Sequence, residues 1–203
     1  MSQRVLDVSS LPTEPADSRA LLWWGNLSMM VIEGTMFALL LATYLYLRMA
    51  NFDWPPGSVP MPNLFLPTLN LAILVLSAAA MVMADRAAKR DDFRTTRIGF
   101  AICIAVGIAF LVIRYLEMAR IGFLWSSHAY GSIIWMIVGM HTVHVVAAIG
   151  ETSLLVVYSL VRPIVKTQLL DARCTAVYWY FVIISWLPFY VIVWLLPHLA
   201  RKG

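Results

Sequence analysis

Residues 130–161 read YGSIIWMIVGMHTVHVVAAIGETSLLVVYSLV, and this stretch decides the fold. It contains one carboxylate, Glu151, and no lysine or arginine. About 20 apolar residues suffice to span about 30 Å of hydrocarbon. A helix over this run, at about 1.5 Å per residue, would be about 48 Å long. The run therefore predicts a transmembrane helix that tilts or projects beyond the bilayer.

Four further apolar runs share the chain with this one, and the composition agrees with them. Of the 203 residues, 61% are hydrophobic and 13% charged, whereas a soluble domain is nearer half and a quarter. Because backbone polar groups inside lipid must pair within their own segment, each run predicts a helix. The chain is therefore expected to be an all-α integral membrane protein, a bundle of five transmembrane helices. The predicted helices cover about 21–48, 64–85, 96–119, 129–161 and 175–197.

The rest of the domain organisation is simple. Residues 1–20 are polar and contain Pro12 and Pro15, which predicts a disordered N-terminal tail. Residues 21–203 are expected to form one transmembrane domain. No internal repeat is visible in the sequence.

The positive charges predict the orientation of the bundle. The net charge is +4, but the basic residues gather in the short segments between apolar runs. Counted by side, ten lie with the N-terminus and five on the opposite side. The positive-inside rule then predicts a cytoplasmic N-terminus and an external C-terminus. This pattern also argues against a nucleic-acid partner.

Ionisable residues inside the apolar runs are the first candidate site, because charge is costly in hydrocarbon. Glu33 lies near the middle of the first helix, and Asn26, seven residues earlier, shares its face. In the fourth helix, His141, His144 and Glu151 form one stripe. Glu33 and His144 are expected at similar depth, which predicts an interaction between them, direct or through lipid or water. A proton carrier, a lipid or partner contact, and a hydrogen-bonded packing role all remain open for Glu33.

The histidines do not form a recognisable metal or haem site. His141 and His144 lie on one helix, whereas axial haem ligation by two histidines normally uses facing helices. Neither a Glu-x-x-His pair nor an HExxH motif occurs in the sequence. We therefore expect this chain by itself to bind neither metal nor haem.

Two other features suggest packing. Glu117 ends the third helix beside Arg114 and Arg120, where a solvated local salt bridge is the expected arrangement. Small residues, among them Gly131 and Gly139, allow helix backbones to approach each other closely. These glycines indicate that the helices pack on something without saying on what.

A set of motifs stands in order along the chain: Trp24-Gly25, Glu33, Trp54-Pro55-Pro56, Arg114-Tyr115-Leu116-Glu117, Tyr130-Gly131-Ser132, the segment Gly139–Val145 with both histidines, and Tyr178-Trp179-Tyr180-Phe181-Val182 with Trp186. Together these motifs resemble the subunit III family of haem-copper respiratory oxidases. The resemblance covers about residues 23–197, nearly the whole chain, and is closest to the shorter bacterial members with five helices. Two departures stand in the last motif, where Tyr180 replaces the family's His and Ile183 its Asp. Thr142 likewise replaces the Gly between the two histidines of the fourth helix.

The resemblance implies a non-catalytic subunit of a proton-pumping cytochrome c oxidase in the bacterial plasma membrane. Such a subunit stabilises catalytic subunit I, supports proton uptake and holds phospholipids in a cleft. Haem and copper belong to the partner subunits, subunits I and II are the expected partners, and cytochrome c is the electron donor of the complex. The residues expected to be lipid-cleft or structural are Glu33, Glu117, His141, His144 and Trp179; those expected in subunit packing are Asn26, Gly131 and Gly139.

Two other functions remain open at this stage. The same fold is compatible with an accessory subunit of a quinol oxidase or of a nitric oxide reductase. A small proton-coupled transporter that uses Glu33 and His144 is a third possibility. The absence of an inverted repeat and of a pair of interrupted helices argues against the transporter.

Overall fold

The computed structural model describes residues 21–57, 59, 63–90, 92–161 and 167–200. The predicted tail, residues 1–20, lies outside the described residues. Five helices in the described part are long and apolar enough to cross a membrane, as predicted. They are α1 (Leu21–Ala50), α2 (Phe65–Ala88), α3 (Phe93–Ala119), α4 (Ala129–Val161) and α5 (Thr167–Phe189), the last continued by a π-helical turn (Tyr190–Leu195) and a short α6 (Leu196–Ala200).

Several helix ends differ from the sequence expectation, and the local chemistry explains two of them. Helix α3 begins at Phe93 rather than near residue 96, because the Asp92 side chain accepts a hydrogen bond from the Thr95 amide at 3.1 Å. This is a side-chain N-cap, which satisfies one of the amides left unpaired in the first turn. Pro188 lies inside α5 and brings no backbone donor. The regular helix ends one residue later, and a π turn follows.

Four of the helices close a ring. Helix α2 packs on α3, α3 on α4, α4 on α5, and α5 returns to α2. The tightest crossing joins α2 and α3, where a methyl group on Gly99 would lie 2.7 Å from the Ala84 Cβ. At the next crossing, a methyl on Gly107 would lie 2.8 Å from Ile149. Glycine is therefore required at position 99, where a side chain would meet the Ala84 backbone, whereas at position 107 the end of the Ile149 side chain would have to move.

Helix α1 lies outside this ring, in the groove between α4 and α5. Only Met30, Phe37 and Tyr44 are buried along it. Large apolar side chains on the other faces are open, with Val31 62% and Ile32 65% exposed. Apolar exposure on this scale is expected where the surrounding medium is lipid.

Candidate functional site

Glu33 of α1 and His144 of α4 face each other within the membrane-spanning part of the bundle. The Glu33 Oε2 lies 3.7 Å from the His144 Nε2, and the side chains are only 19% and 10% exposed. The His144 Nδ1 is 2.7 Å from the Met140 carbonyl oxygen, which can only accept, so Nδ1 carries a proton. Nε2 is then left to face the carboxyl. The 3.7 Å separation is too long for a hydrogen bond, and the Glu33 Oε2 has no hydrogen-bond partner among the described residues.

An apolar groove adjoins this pair. It has a volume of 310 Å³, lies between α1 and α5, and is lined by residues that include Gly34, Phe37, Phe181 and Phe189. The Phe37 ring also packs on His144, with 4.8 Å between the ring centroids. The polar pair therefore lies behind the Phe37 ring, next to a groove whose apolar lining suits a hydrocarbon chain.

Two further polar contacts tie α5 to its neighbours near one end of the bundle. The Thr175 hydroxyl donates to the Glu151 carboxylate at 2.6 Å. The Asn26 amide donates to the Cys174 carbonyl at 3.1 Å. Asn26, predicted in subunit packing, thus joins α1 to α5 within this chain.

The Arg114–Glu117 pair is buried, and the expectation of a solvated salt bridge was wrong. The Arg114 Nη1 lies 2.8 Å from the Glu117 Oε2, and the two side chains are 1% and 10% exposed. Arg114 is turned inward because aromatic rings receive it: its guanidinium carbon lies 4.3 Å from the centroid of Trp186 and 5.0 Å from that of Phe110. Arg120, the other predicted neighbour, is not part of this ion pair. Among the described residues, the Arg114 Nε and Nη2 atoms have no hydrogen-bond partner.

Arg114, Glu117, Phe110 and Trp186 form a central cluster, and His141 belongs to this central cluster rather than to the groove. It is fully buried, and its ring stacks on Trp186 at 4.3 Å between centroids. Its Nε2 lies 3.1 Å from the Val182 carbonyl oxygen and donates to it. Nδ1 is therefore an acceptor, without a partner among the described residues. The two histidines of α4 thus face different surroundings.

The other predicted packing residues fall into three arrangements. The Trp179 indole donates to the Ser77 hydroxyl at 2.8 Å, which joins α5 to α2. A methyl on Gly131 would lie 2.7 Å from the Leu124 carbonyl oxygen, so this glycine fits the turn before α4. A methyl on Gly139 would meet nothing within 4 Å. Of these three, only Gly139 leaves its space open for another molecule.

Three residues of the central cluster were missed or undervalued in the sequence. Arg114 was noted only as a neighbour of Glu117, and Trp186 only as part of a motif. Asn70 of α2 was not singled out, yet it is fully buried and lies beside the Glu117 carboxyl. Neither of its amide atoms reaches hydrogen-bond geometry with a described residue. The available signal was the type of residue, since a polar side chain inside an apolar run is costly without a partner.

The described residues contain no group of three or more His, Cys, Asp or Glu side chains placed to hold a metal ion. What the site offers instead is a close polar pair at Glu33 and His144, an apolar groove beside it, and a buried ion pair packed against aromatic rings.

Comparison with known proteins gives a consistent group of relatives. The profile of the family described as cytochrome c oxidase subunit III matches residues 19–197. The cytochrome c oxidase subunit 3 of Thermostichus vulcanus is 30% identical, over 85% of this chain and 86% of its own length. A probable cytochrome c oxidase subunit 3 of Nocardia farcinica is 29% identical, over 84% of this chain and 85% of its own. The Drosophila yakuba subunit 3 is 31% identical over 70% of this chain but only 55% of its own length.

Proposed function

Because the chain belongs to the cytochrome c oxidase subunit III family, we propose that it is the non-catalytic subunit III of a proton-pumping cytochrome c oxidase. The family match over residues 19–197 is the observation that carries this proposal. It makes the chain part of a haem-copper oxidase complex, with other oxidase subunits as its neighbours. Subunits I and II are the proposed partners and cytochrome c the proposed donor. Haem and copper would lie in those partners.

The proposed work of the chain is to stabilise catalytic subunit I, to hold phospholipid and to support proton uptake. The groove between α1 and α5 supports the lipid part, because its 310 Å³ are walled by apolar and aromatic side chains. Glu33 and His144, which lie 3.7 Å apart and behind Phe37 of the groove lining, are the proposed lipid-cleft residues. Glu117, His141 and Trp179 are proposed to be structural.

Gly139 is the residue of this chain that best supports a contact with another subunit. It lies at a half-buried position of α4, and a methyl there would meet nothing within 4 Å. In a membrane the van der Waals fit of small residues drives helix association. We expect Gly139→Leu to leave the fold of this chain intact and to lower the amount of subunit I that co-purifies. Gly25→Leu, at an equally open glycine of α1, is the matched control.

The proposed location is the bacterial plasma membrane, with the N-terminus in the cytoplasm. The five spanning helices support a multi-pass membrane protein. The excess of basic residues on the N-terminal side supports the orientation. Accessibility of a cysteine introduced at position 90 or position 120 to an impermeant thiol reagent would test it, with reaction at 120 alone expected in intact cells.

A spectrum of the purified complex tests the assignment. The chain, tagged at its N-terminus, is purified from native membranes in mild detergent, and a reduced-minus-oxidised spectrum is recorded. Haem of the a type together with a large copper-bearing subunit is the expected result. Only b- or o-type haem would indicate a quinol oxidase or a nitric oxide reductase as the host. A colourless chain without partners would contradict the proposal and return attention to transport.

A further inference from the structure

A second cavity lies at the end of the bundle where α2 finishes and α3 begins. Its volume is 360 Å³, and it is distant in sequence from the groove between α1 and α5. Its polar part is lined by Arg86 of α2, by Arg90 in the turn after α2, and by Thr95 of α3. Ala79, Val82 and Met83 line its apolar part. The positive-inside rule explains basic residues at this end of the bundle, but it requires no cavity and no particular side-chain arrangement.

Arg86, in the last turn of α2, and Arg90, in the turn that follows this helix, put two cations at the wall of the cavity. Both side chains are exposed, and two like charges on one wall repel each other. Lys89, between them in sequence, is tied to Asp85 at 2.5 Å. No such ion pair joins Arg86 or Arg90 to a described residue. An anion bound between the two guanidinium groups would remove the repulsion.

The first turn of α3 adds donors on the opposite wall. Thr95 brings a hydroxyl to the cavity, and the amides at the start of this 27-residue helix carry the positive end of its dipole. Asp92 also lines the cavity, but its carboxylate is occupied with the Thr95 amide at 3.1 Å. Two arginines against one carboxylate leave the wall with a net positive charge.

The apolar part of the cavity lining indicates whether its ligand is a soluble anion or a lipid. Ala79, Val82, Met83 and Arg86 fall at spacings that form one continuous stripe on α2, and Arg90 follows beyond the end of the helix. From Ala79 to Arg86 this stripe extends about 10 Å along the helix. A free phosphate needs only the charged end. A phospholipid places its phosphate between the arginines and the upper part of an acyl chain against Val82 and Met83.

We propose that this cavity binds the headgroup of an anionic phospholipid whose acyl chain follows α2 into the membrane. Basic pockets between transmembrane helices are a recurrent form of anionic-lipid site. The site depends neither on the identity of the oxidase nor on any lipid held beside Glu33 and His144.

Lipid retention in the intact assembly tests the proposal. The full chain, in whatever complex it occupies, is purified in mild detergent, and bound phosphatidylglycerol and cardiolipin are counted by native mass spectrometry. We expect the double variant Arg86→Gln, Arg90→Gln to retain one anionic lipid fewer than the wild type. When the wild type is delipidated, added phosphatidylglycerol should restore this lipid and added phosphatidylcholine should not. The control Arg48→Gln, Arg120→Gln removes two charges at the other end and should retain that lipid. Equal retention in both double variants would overturn the proposal.

A cross-linking measurement on the wild-type chain covers the case in which the double variant does not assemble. Photoactivatable phosphatidylglycerol should label a peptide within residues 79–95, and the matched phosphatidylcholine probe should not. Millimolar inorganic phosphate should not displace the label. Displacement by phosphate would assign the cavity to a soluble anion, and equal labelling by both probes would show an ordinary lipid-facing surface; either result refutes the anionic-lipid site.

Discussion

Replacing Arg114 by leucine should be one of the most damaging single changes in this chain. The substitution removes a guanidinium that is 1% exposed and leaves Glu117 in a buried position without its partner at 2.8 Å. Removing one member of a buried ion pair typically costs about 3–5 kcal/mol. Protonation of Glu117 sets the lower end of that range, since it replaces a buried charge by a neutral group. The equilibrium constant for folding should fall about 10²- to 10⁴-fold.

The loss has a second component, because Arg114 also lies over aromatic rings. Its distances of 4.3 Å to the Trp186 centroid and 5.0 Å to the Phe110 centroid are within cation–π range, which is worth about 2 kcal/mol when the groups are desolvated. Glu117→Gln keeps this contact and removes only the carboxylate. We therefore expect Glu117→Gln to cost less than Arg114→Leu, and the double variant to cost less than the sum of the two.

A double-mutant cycle measures these differences. The full chain is unfolded by a dodecyl sulfate titration in mixed micelles, and tryptophan fluorescence follows the transition, since the Trp186 ring lies against the Arg114 guanidinium. Lys89→Gln is the matched control, because it breaks an i,i+4 salt bridge whose lysine is 53% exposed and should cost well under about 1 kcal/mol. The reasoning fails if Arg114→Leu costs no more than this control, or if the two single effects simply add.

Three further predictions concern other parts of the molecule. In the purified complex, Glu33→Gln should leave the initial oxidase rate nearly intact, because an accessory subunit holds no reacting atoms; immediate complete loss would contradict the accessory role. Gly99→Ala should destabilise the chain by about 1–3 kcal/mol in the same unfolding assay, since its methyl would lie 2.7 Å from the Ala84 Cβ. Gly139→Ala meets nothing within 4 Å and should instead stabilise α4 by up to about 1 kcal/mol; equal effects of the two would disprove the tight crossing. The hydrogen bond from Thr95 lowers the pKa of the Asp92 carboxyl, so the cap contributes at neutral pH and is lost as the pH falls through that lowered pKa. As the pH falls through that pKa, amide exchange in the first turn of α3 should lose its protection. In Asp92→Ala the same amides should lack this protection at every pH. Protection that does not change with pH in the wild type would refute the cap.

The five helices could be predicted from the sequence because a long apolar run in lipid satisfies its backbone hydrogen bonds by forming a helix. Inside hydrocarbon a segment must satisfy its own backbone, so length and composition alone identify a spanning helix. The ring of four helices with α1 outside it could not be predicted in this way. Each run reads as apolar on nearly every face, and so the sequence does not say which faces meet.

A residue of the candidate site could be predicted only where its depth in the membrane was enough to identify its neighbour. Glu33 and His144 could be linked because both lie near the middle of their helices. Arg114 is near a helix end, where an arginine commonly extends to the interface, and its inward turn depends on the Trp186 ring of a distant helix. Pro188 was not singled out, since one uninterrupted helix was predicted over about 175–197, and no local pattern indicated the π turn that follows the proline.

The position of α1 has a consequence for how the protein is made. Among the described elements, α1 contacts only α4 and α5, whereas α2 and α3 are consecutive in sequence and can pair as soon as both have left the ribosome. At ordinary rates of translation, α1 waits on the order of ten seconds for its neighbours to be synthesised. During that interval α1 can contact only lipid or the insertion machinery. Of the five described spanning helices, α1 is therefore synthesised first but is among the last to dock, and a chain truncated before α5 leaves it without one of its two neighbours.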